Sequence, residues 1–275
     1  MLVATLLVRG VRLAVSTFGS GTDPAVLLIA GVGGSMDGWE PEFCTALAGA
    51  GRYVVRYDHR DTGESESYPP GEPGYAFADL VEDLPALLTA LGVDTAHVVG
   101  ISMGGVIAQY LALAHPARVR TLTLISTTGG PGDEDLPPLG DLGSPPEPDW
   151  SDRSAVLAYQ VENLRRYASP TRPFDESGAR AMLAVALDRT TSPESAAKNH
   201  HRAEGGEPWR ARLGEITAPT LVLHGTEDPL FPLGHGAALA REIPNARLVP
   251  LPGVGHELTR AEWPVVLREV VAHTA

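Results

Sequence analysis

The segment Gly100-Ile101-Ser102-Met103-Gly104 follows directly on the apolar run Ala96-His97-Val98-Val99. It leads into Gly105-Val106-Ile107-Ala108-Gln109-Tyr110-Leu111-Ala112-Leu113-Ala114, which is apolar on nearly every face. This order predicts a strand, a sharp turn carrying a serine, and a helix packed against a buried sheet. A serine hydroxyl is a poor nucleophile when flat on a surface. A turn that lifts it clear of the backbone, between glycines that let strand and helix approach, is what nucleophilic chemistry requires. Gly-x-Ser-x-Gly alone is common in glycine-rich loops; the strand before and helix after it make Ser102 the candidate nucleophile.

The rest of the chain supplies the sheet. Short runs rich in Val, Ile and Leu at 5–8, 11–17, 25–30, 53–57, 97–100, 119–126, 220–224 and 246–250 read as eight strands. The first two, separated by Arg9-Gly10, read as an antiparallel hairpin. Later strands alternate with helical stretches near 39–50, 77–91, 103–115, 233–242 and 260–272, the pattern of a mostly parallel α/β sheet covered on both faces. The alternation breaks after Ser126. From 129 to 212 there is a loop rich in Gly, Pro and acidic residues, then amphipathic stretches near 152–167 and 175–189, and no strand pattern.

The expected organisation is therefore a core of 1–128 and 213–275 with a helical lid at 129–212. An insertion between the sixth and seventh strands sits at the carboxyl edge of the sheet, where open α/β sheets bind ligands. An independent helical subdomain is the alternative.

A net charge of −13 disfavours nucleic acid or an anionic membrane as partner. A small uncharged or cationic ligand is easier to accommodate. Cys44 is the single cysteine, which excludes an intrachain disulfide and a thiolate metal cluster. His200-His201 are adjacent, read as facing opposite sides of a helix, and do not have metal-ligand spacing, so neither metal nor cofactor is expected. The apolar start 1–8 is too short to span a bilayer and reads as a strand, so a cytoplasmic location is expected. Oligomeric state is left open.

Ser102 needs a base, and the base needs an acid to orient it. Of nine histidines, His256 lies in the glycine-rich loop Pro252-Gly253-Val254-Gly255-His256-Glu257 after the last strand, where it can swing over the carboxyl edge. A solvated loop histidine is the plainer reading. After the seventh strand, Gly225-Thr226-Glu227-Asp228-Pro229 offers Asp228 as the acid, with Glu227 as the neighbouring alternative. Acyl transfer also needs donors for an oxyanion. The Met103 amide, at the positive end of the nucleophile helix, is one; the Val32 amide in Gly31-Val32-Gly33-Gly34 is the second, unless that loop is merely flexible.

With these residues in place the chain resembles the α/β-hydrolase superfamily, whose order of Ser, Asp and His it shares. The segment Asp58-His59-Arg60-Asp61-Thr62-Gly63-Glu64-Ser65 resembles that family's turn after the fourth strand. Two departures stand out: Ala30-Gly31 replaces a frequent His-Gly before the oxyanion amide, and Arg60-Asp61 replaces a frequent Arg-Gly. More narrowly, Arg56-Tyr57-Asp58-His59-Arg60-Asp61-Thr62-Gly63, His97-Val98-Val99-Gly100 and Ser102-Met103-Gly104 are similar to the aclacinomycin methylesterase group.

That resemblance implies a serine esterase that hydrolyses a methyl ester on an aromatic polyketide during antibiotic tailoring. Gly31 and the insertion's Trp150, Tyr159, Tyr167, Phe174, Met182 and Trp209 are then candidate substrate contacts; the alternative is that the insertion's side chains form its own core. Lactone or C–C hydrolysis by the same triad remains open, as does a binding or cyclisation protein that leaves the triad unused.

Overall fold

The computed structural model describes residues 3–130 and 134–275; residues 131–133 of the expected loop, and the first two of the apolar start, lie outside the described residues. The sheet has eight strands in the order β1-β2-β4-β3-β5-β6-β7-β8. They are β1 (Val3–Val8), β2 (Val11–Phe18), β3 (Ala25–Ile29), β4 (Tyr53–Tyr57), β5 (Ala96–Ile101), β6 (Val119–Ile125), β7 (Thr220–Gly225) and β8 (Ala246–Leu251). The β1–β2 and β2–β4 pairs are antiparallel and the rest parallel. Every strand ends within about two residues of its expected limits. The hairpin turn puts both Arg9 and Gly10 at positive φ, 50° and 85°, the backbone that matches the twist of a two-residue hairpin.

Of the central strands, β3 and β7 are buried at every residue, whereas the edge strands β1 and β8 are mostly half-buried or exposed. Helices cover both faces. On one, α1 (Pro41–Gly49) and α8 (Trp263–His273) bring Phe43, Leu47, Val266 and Val270 against Val26, Leu28 and Val99. On the other, α2 (Phe77–Ala90), α3 (Met103–Ala114) and α7 (Gly234–Glu242) bring Leu84, Ile107, Leu111 and Leu239 against Leu27, Val98 and Leu122. Two helices start later than the sequence pattern suggests. Pro41 opens α1, its fixed φ suiting the first turn. Before α8, Glu262 accepts from the Thr259 amide and hydroxyl at 3.1 and 2.6 Å, closing a turn that holds off the helix until Trp263.

β3 is flanked by β4 on one side and β5 on the other. The chain leaves β3 toward α1 on one face and leaves β5 toward α3 on the opposite face. The two loops therefore part at the carboxyl edge and open a crevice between them, the position where such sheets place ligands. Between β6 and β7 lie α4 (Arg153–Tyr167), α5 (Glu176–Arg189) and α6 (Pro193–Lys198). The short α6 was not expected. His200 and His201 occupy the turn after it, so their expected place on opposite sides of a helix does not hold. Ala203 and Trp209 already pack against the core cluster, so the chain rejoins the core before residue 213.

Candidate active site

Ser102 has φ 54° and ψ −121°, a conformation that L side chains rarely adopt. Its surroundings enforce it. A Cβ on Gly100 would drive into the Gly104 carbonyl, and a Cβ on Gly104 into the Ile29 carbonyl, so both positions require glycine for β5, α3 and β3 to meet this closely. The Ser102 amide donates to the Ile125 carbonyl at 3.0 Å, and its carbonyl accepts from Thr127 Oγ1 at 2.8 Å. With the backbone held from both sides, Oγ projects over the carboxyl edge.

His256 Nε2 lies 2.9 Å from Ser102 Oγ, and His256 Nδ1 lies 2.8 Å from Asp228 Oδ2. A carboxylate only accepts, so Nδ1 carries the proton and Nε2 presents a lone pair to the serine hydroxyl. Asp228 is 5% exposed and His256 7%. Burial pushes the Asp228 carboxyl up, but hydrogen bonds from His256 and the Phe231 amide outweigh it and leave it below the usual carboxylate range. Its other oxygen accepts from the Leu230 and Phe231 amides, both at 2.9 Å. Glu227, the alternative acid, is committed through its amide to the Val254 carbonyl, and no bond joins its carboxylate to His256 among the described residues.

Two amides remain free near Ser102. Met103 is the first residue of α3, where no intrahelical partner exists for its N–H. The Val32 amide likewise donates to nothing among the described residues. Gly31 abuts the serine: a Cβ built on it would lie 3.9 Å from Ser102 Oγ. Val32 itself sits in a turn closed by the Gly34 amide on the Gly31 carbonyl at 3.1 Å, with Gly33 at φ 66°.

Of the candidate wall residues, Tyr167 is brought to the site. Its ring lies 5.4 Å from the His256 ring, and its carbonyl accepts from the His256 amide at 2.9 Å. Trp150 and Tyr159 pack edge to face at 5.4 Å, and Phe174 joins the insertion's small core beneath the Arg165 guanidinium. Met182 is half-buried on α5. Trp209 packs on Tyr110 and donates to Gln109 Oε1 at 2.9 Å, about two turns along α3 from Ser102, so it is spent on the core.

Sequence reasoning missed Phe231, whose ring is 5.3 Å from His256, and His224, fully buried with Nε2 2.7 Å from the Phe231 carbonyl. Both brace the turn that carries Asp228. The acid-proline turn was their only signal.

The profile of the alpha/beta hydrolase fold matches residues 24–259 of this chain. The chain belongs to the α/β-hydrolase family. Within that family this α/β hydrolase is 34% identical to the rhodomycin D methylesterase DauP of Streptomyces sp. (strain C5), over 93% of this chain and 92% of that one. It is 30% identical to a putative carbamate hydrolase, RutD, of Variovorax paradoxus (strain S110), over 90% of each. Among solved structures it resembles the enol-lactonase of Burkholderia xenovorans LB400, with TM-score 0.76 and 25% identity over 98% of this chain and 99% of that one. Among its described residues no helix is long and apolar enough to cross a membrane.

Proposed function

We propose that this α/β hydrolase is a serine esterase that works through an acyl-enzyme on a small-molecule carboxylic ester, a methyl ester of an aromatic polyketide being the substrate class. The observation that carries this reading is the continuous relay from Ser102 Oγ through His256 to Asp228, at 2.9 and 2.8 Å, beside two free amides. Ser102 attacks the ester carbonyl as its proton passes to His256 Nε2, and Asp228 stabilises the imidazolium. The carbonyl oxygen takes the negative charge and accepts hydrogen bonds from the Val32 and Met103 amides. Collapse breaks the bond to the alkoxy group, which leaves as the alcohol with the proton from His256. Water then attacks the acyl-enzyme by the same route, releasing the acid and restoring Ser102.

The substrate class is supported by the likeness to DauP, which is named a methylesterase. The fold alone does not select it, since relatives at 30% and 25% identity are named for carbamates and enol-lactones. In this reading α4, α5 and α6 form a cap over the site. The test is intact-mass spectrometry after incubation with a fluorophosphonate, alongside Ser102→Ala. One adduct on Ser102, absent from the variant, followed by methanol release from a polycyclic methyl ester is the expected result. Tight binding of that ester with neither adduct nor turnover overturns the esterase reading in favour of a binding or cyclisation protein.

A further inference from the structure

The loop at 30–34 contains three glycines and, in Ala30-Gly31, lacks a histidine of its own. Such a loop is conformationally loose unless tied from outside. Two imidazoles from distant parts of the chain tie it. His59, just after β4, places Nε2 3.2 Å from the Ala30 carbonyl, and its Nδ1 lies 3.0 Å from the Tyr57 hydroxyl. His200, in the turn after α6, takes the Gly33 amide on Nδ1 at 3.0 Å and places Nε2 2.9 Å from the Arg60 carbonyl. The two rings meet edge to face, centroids 5.6 Å apart at 88°.

These partners place the protons. A carbonyl only accepts, so both imidazoles carry hydrogen on Nε2; the Gly33 amide only donates, so His200 Nδ1 is bare, and a neutral His59 with Nε2–H leaves Nδ1 to accept from the Tyr57 hydroxyl. Both are held neutral: burial pushes His59 down to about 3 and lowers His200 as well. The loop is also pressed under α6, since a Cβ on Gly33 would lie 2.9 Å from the Ala196 carbonyl.

We propose that His59 and His200 are positioning residues which clamp the loop at Ala30 and Gly33 and so aim the Val32 amide, between the two tied points, at the oxygen bound above Ser102. The proposal rests on the serine-esterase reading of the site. It gives the segment between β6 and β7 a role in the chemistry, because His200 belongs to that segment. Each clamp bond holds one end of a two-residue span, and an oxyanion donor displaced by about 1 Å loses on the order of a hundredfold in rate.

The test uses the full chain with His200→Asn, His200→Gln and His200→Leu. The Asn Oδ1 falls where Nδ1 was and can accept from Gly33. The Gln amide reaches toward the Arg60 carbonyl but offers nothing at the Nδ1 position. The readouts are kcat and KM on p-nitrophenyl acetate, the rate of Ser102 phosphonylation by a fluorophosphonate, and the unfolding temperature. Expected are a fall in kcat and in phosphonylation of about 10- to 100-fold for Gln and Leu, a KM little changed, and recovery of most of the loss in Asn.

Equal losses in Asn and Gln, or kcat that simply follows unfolding temperature, overturn the clamp. A wild-type protein that neither labels nor turns over overturns the esterase reading instead. Should the variants fail to fold, 15N spectra of histidine-labelled wild type decide: Nε2–H tautomers for His59 and His200 are required, and an Nδ1–H tautomer at either overturns the proposal.

Discussion

The carboxyl edge of the sheet and the segment between β6 and β7 are built by opposite rules. Around Ser102, Ile29, Ala30, Ile125, Ser126 and Thr127 are all within 4% of full burial, and Ile29 and Ile125 are paired strand to strand. In the segment, α4 and α5 enclose only Val156, Leu157, Val161 and Leu187 as buried apolar side chains. Its ion pairs, such as Arg153–Asp188 and Arg165–Glu176, lie at the surface, where such pairs are worth about 0–1 kcal/mol each. The edge holds its geometry through burial and backbone pairing, whereas the segment has few buried apolar contacts of its own and acts on that geometry only where it is tied to it. The two meet at a few buried polar ties: Arg189 to Asp37 and Asp58, Asn199 to Asp61, and His200 to the Val32 loop.

If the edge carries the chemistry, damage there must be close to total. Ser102→Ala and His256→Ala are each expected to lower kcat on a short-chain p-nitrophenyl ester by about 10⁵-fold or more, and Asp228→Asn by about 10⁴-fold. The Ser102→Ala/His256→Ala double variant is expected to be no worse than either single one, because the relay acts as a unit. Additive losses would mean that the two side chains work independently, and the relay reading would fall.

The next largest effect is expected at the join. Arg189 is 14% exposed and its guanidinium reaches Asp58, itself fully buried, at 2.7 Å. Arg189→Leu leaves the buried Asp37 and Asp58 carboxylates without their shared cation, a loss of about 3–5 kcal/mol in stability. Urea unfolding should show the midpoint moving down by that measure, while the protein that remains folded still labels with a fluorophosphonate. Loss of labelling without loss of stability would show that this tie serves the chemistry rather than the packing.

The same contrast explains what could be read from the sequence. Val, Ile and Leu runs mark strands because buried parallel strands need both faces apolar; β3 satisfies this at every position, and β7 is buried throughout with an apolar centre at Leu221, Val222 and Leu223. The elbow at Ser102, the glycine-rich loop of His256 and the turn of Asp228 are local features, each legible within about five residues. His59, His200, Asn199 and Arg189 are not legible in that way. Each is a polar residue in a polar stretch, and its partner lies up to 167 positions away, as for His200 and Gly33. No periodicity marks a histidine that will be buried. Even Arg60-Asp61, visible as a departure from the family pattern, acquires its meaning only in three dimensions: Arg60 pairs with Asp83 at 2.7 Å, and Asp61 accepts from Tyr75 and Asn199.

A smaller effect should mark the seam through pH. Glu257 follows His256 directly and has one oxygen without a hydrogen-bond partner among the described residues. Burial pushes its carboxyl up to about 7. In the unfolded chain it titrates near the ordinary value of about 4.3. The native state therefore binds more protons than the unfolded state between these values, and stability falls as pH rises across that window. Its contribution is fully present below about 4.3 and lost once pH has passed about 7. Glu257→Gln should flatten this part of the profile, read as urea midpoints at pH 5, 6, 7 and 8. An unchanged slope would mean that the seam opens to water and solvates the carboxylate.

The smallest effect is the one that most directly tests whether the segment selects substrate. Tyr159 packs on Trp150 and has no bond to the relay among the described residues. Tyr159→Ala removes a candidate wall side chain without touching Ser102, His256 or Asp228. A wall contact of this size is worth about 1–3 kcal/mol to a ligand that reaches it and nothing to one that does not. For a polycyclic methyl ester KM should rise about 10-fold, at the lower end of that range, while kcat/KM for p-nitrophenyl acetate stays as in wild type. The informative quantity is the ratio of the two, because a general loosening of the segment would disturb the His200 clamp and lower both rates together. Equal losses on both esters would therefore assign Tyr159 to the packing that holds the clamp, and no loss on either would confine the polycyclic ring system to the core side of the crevice.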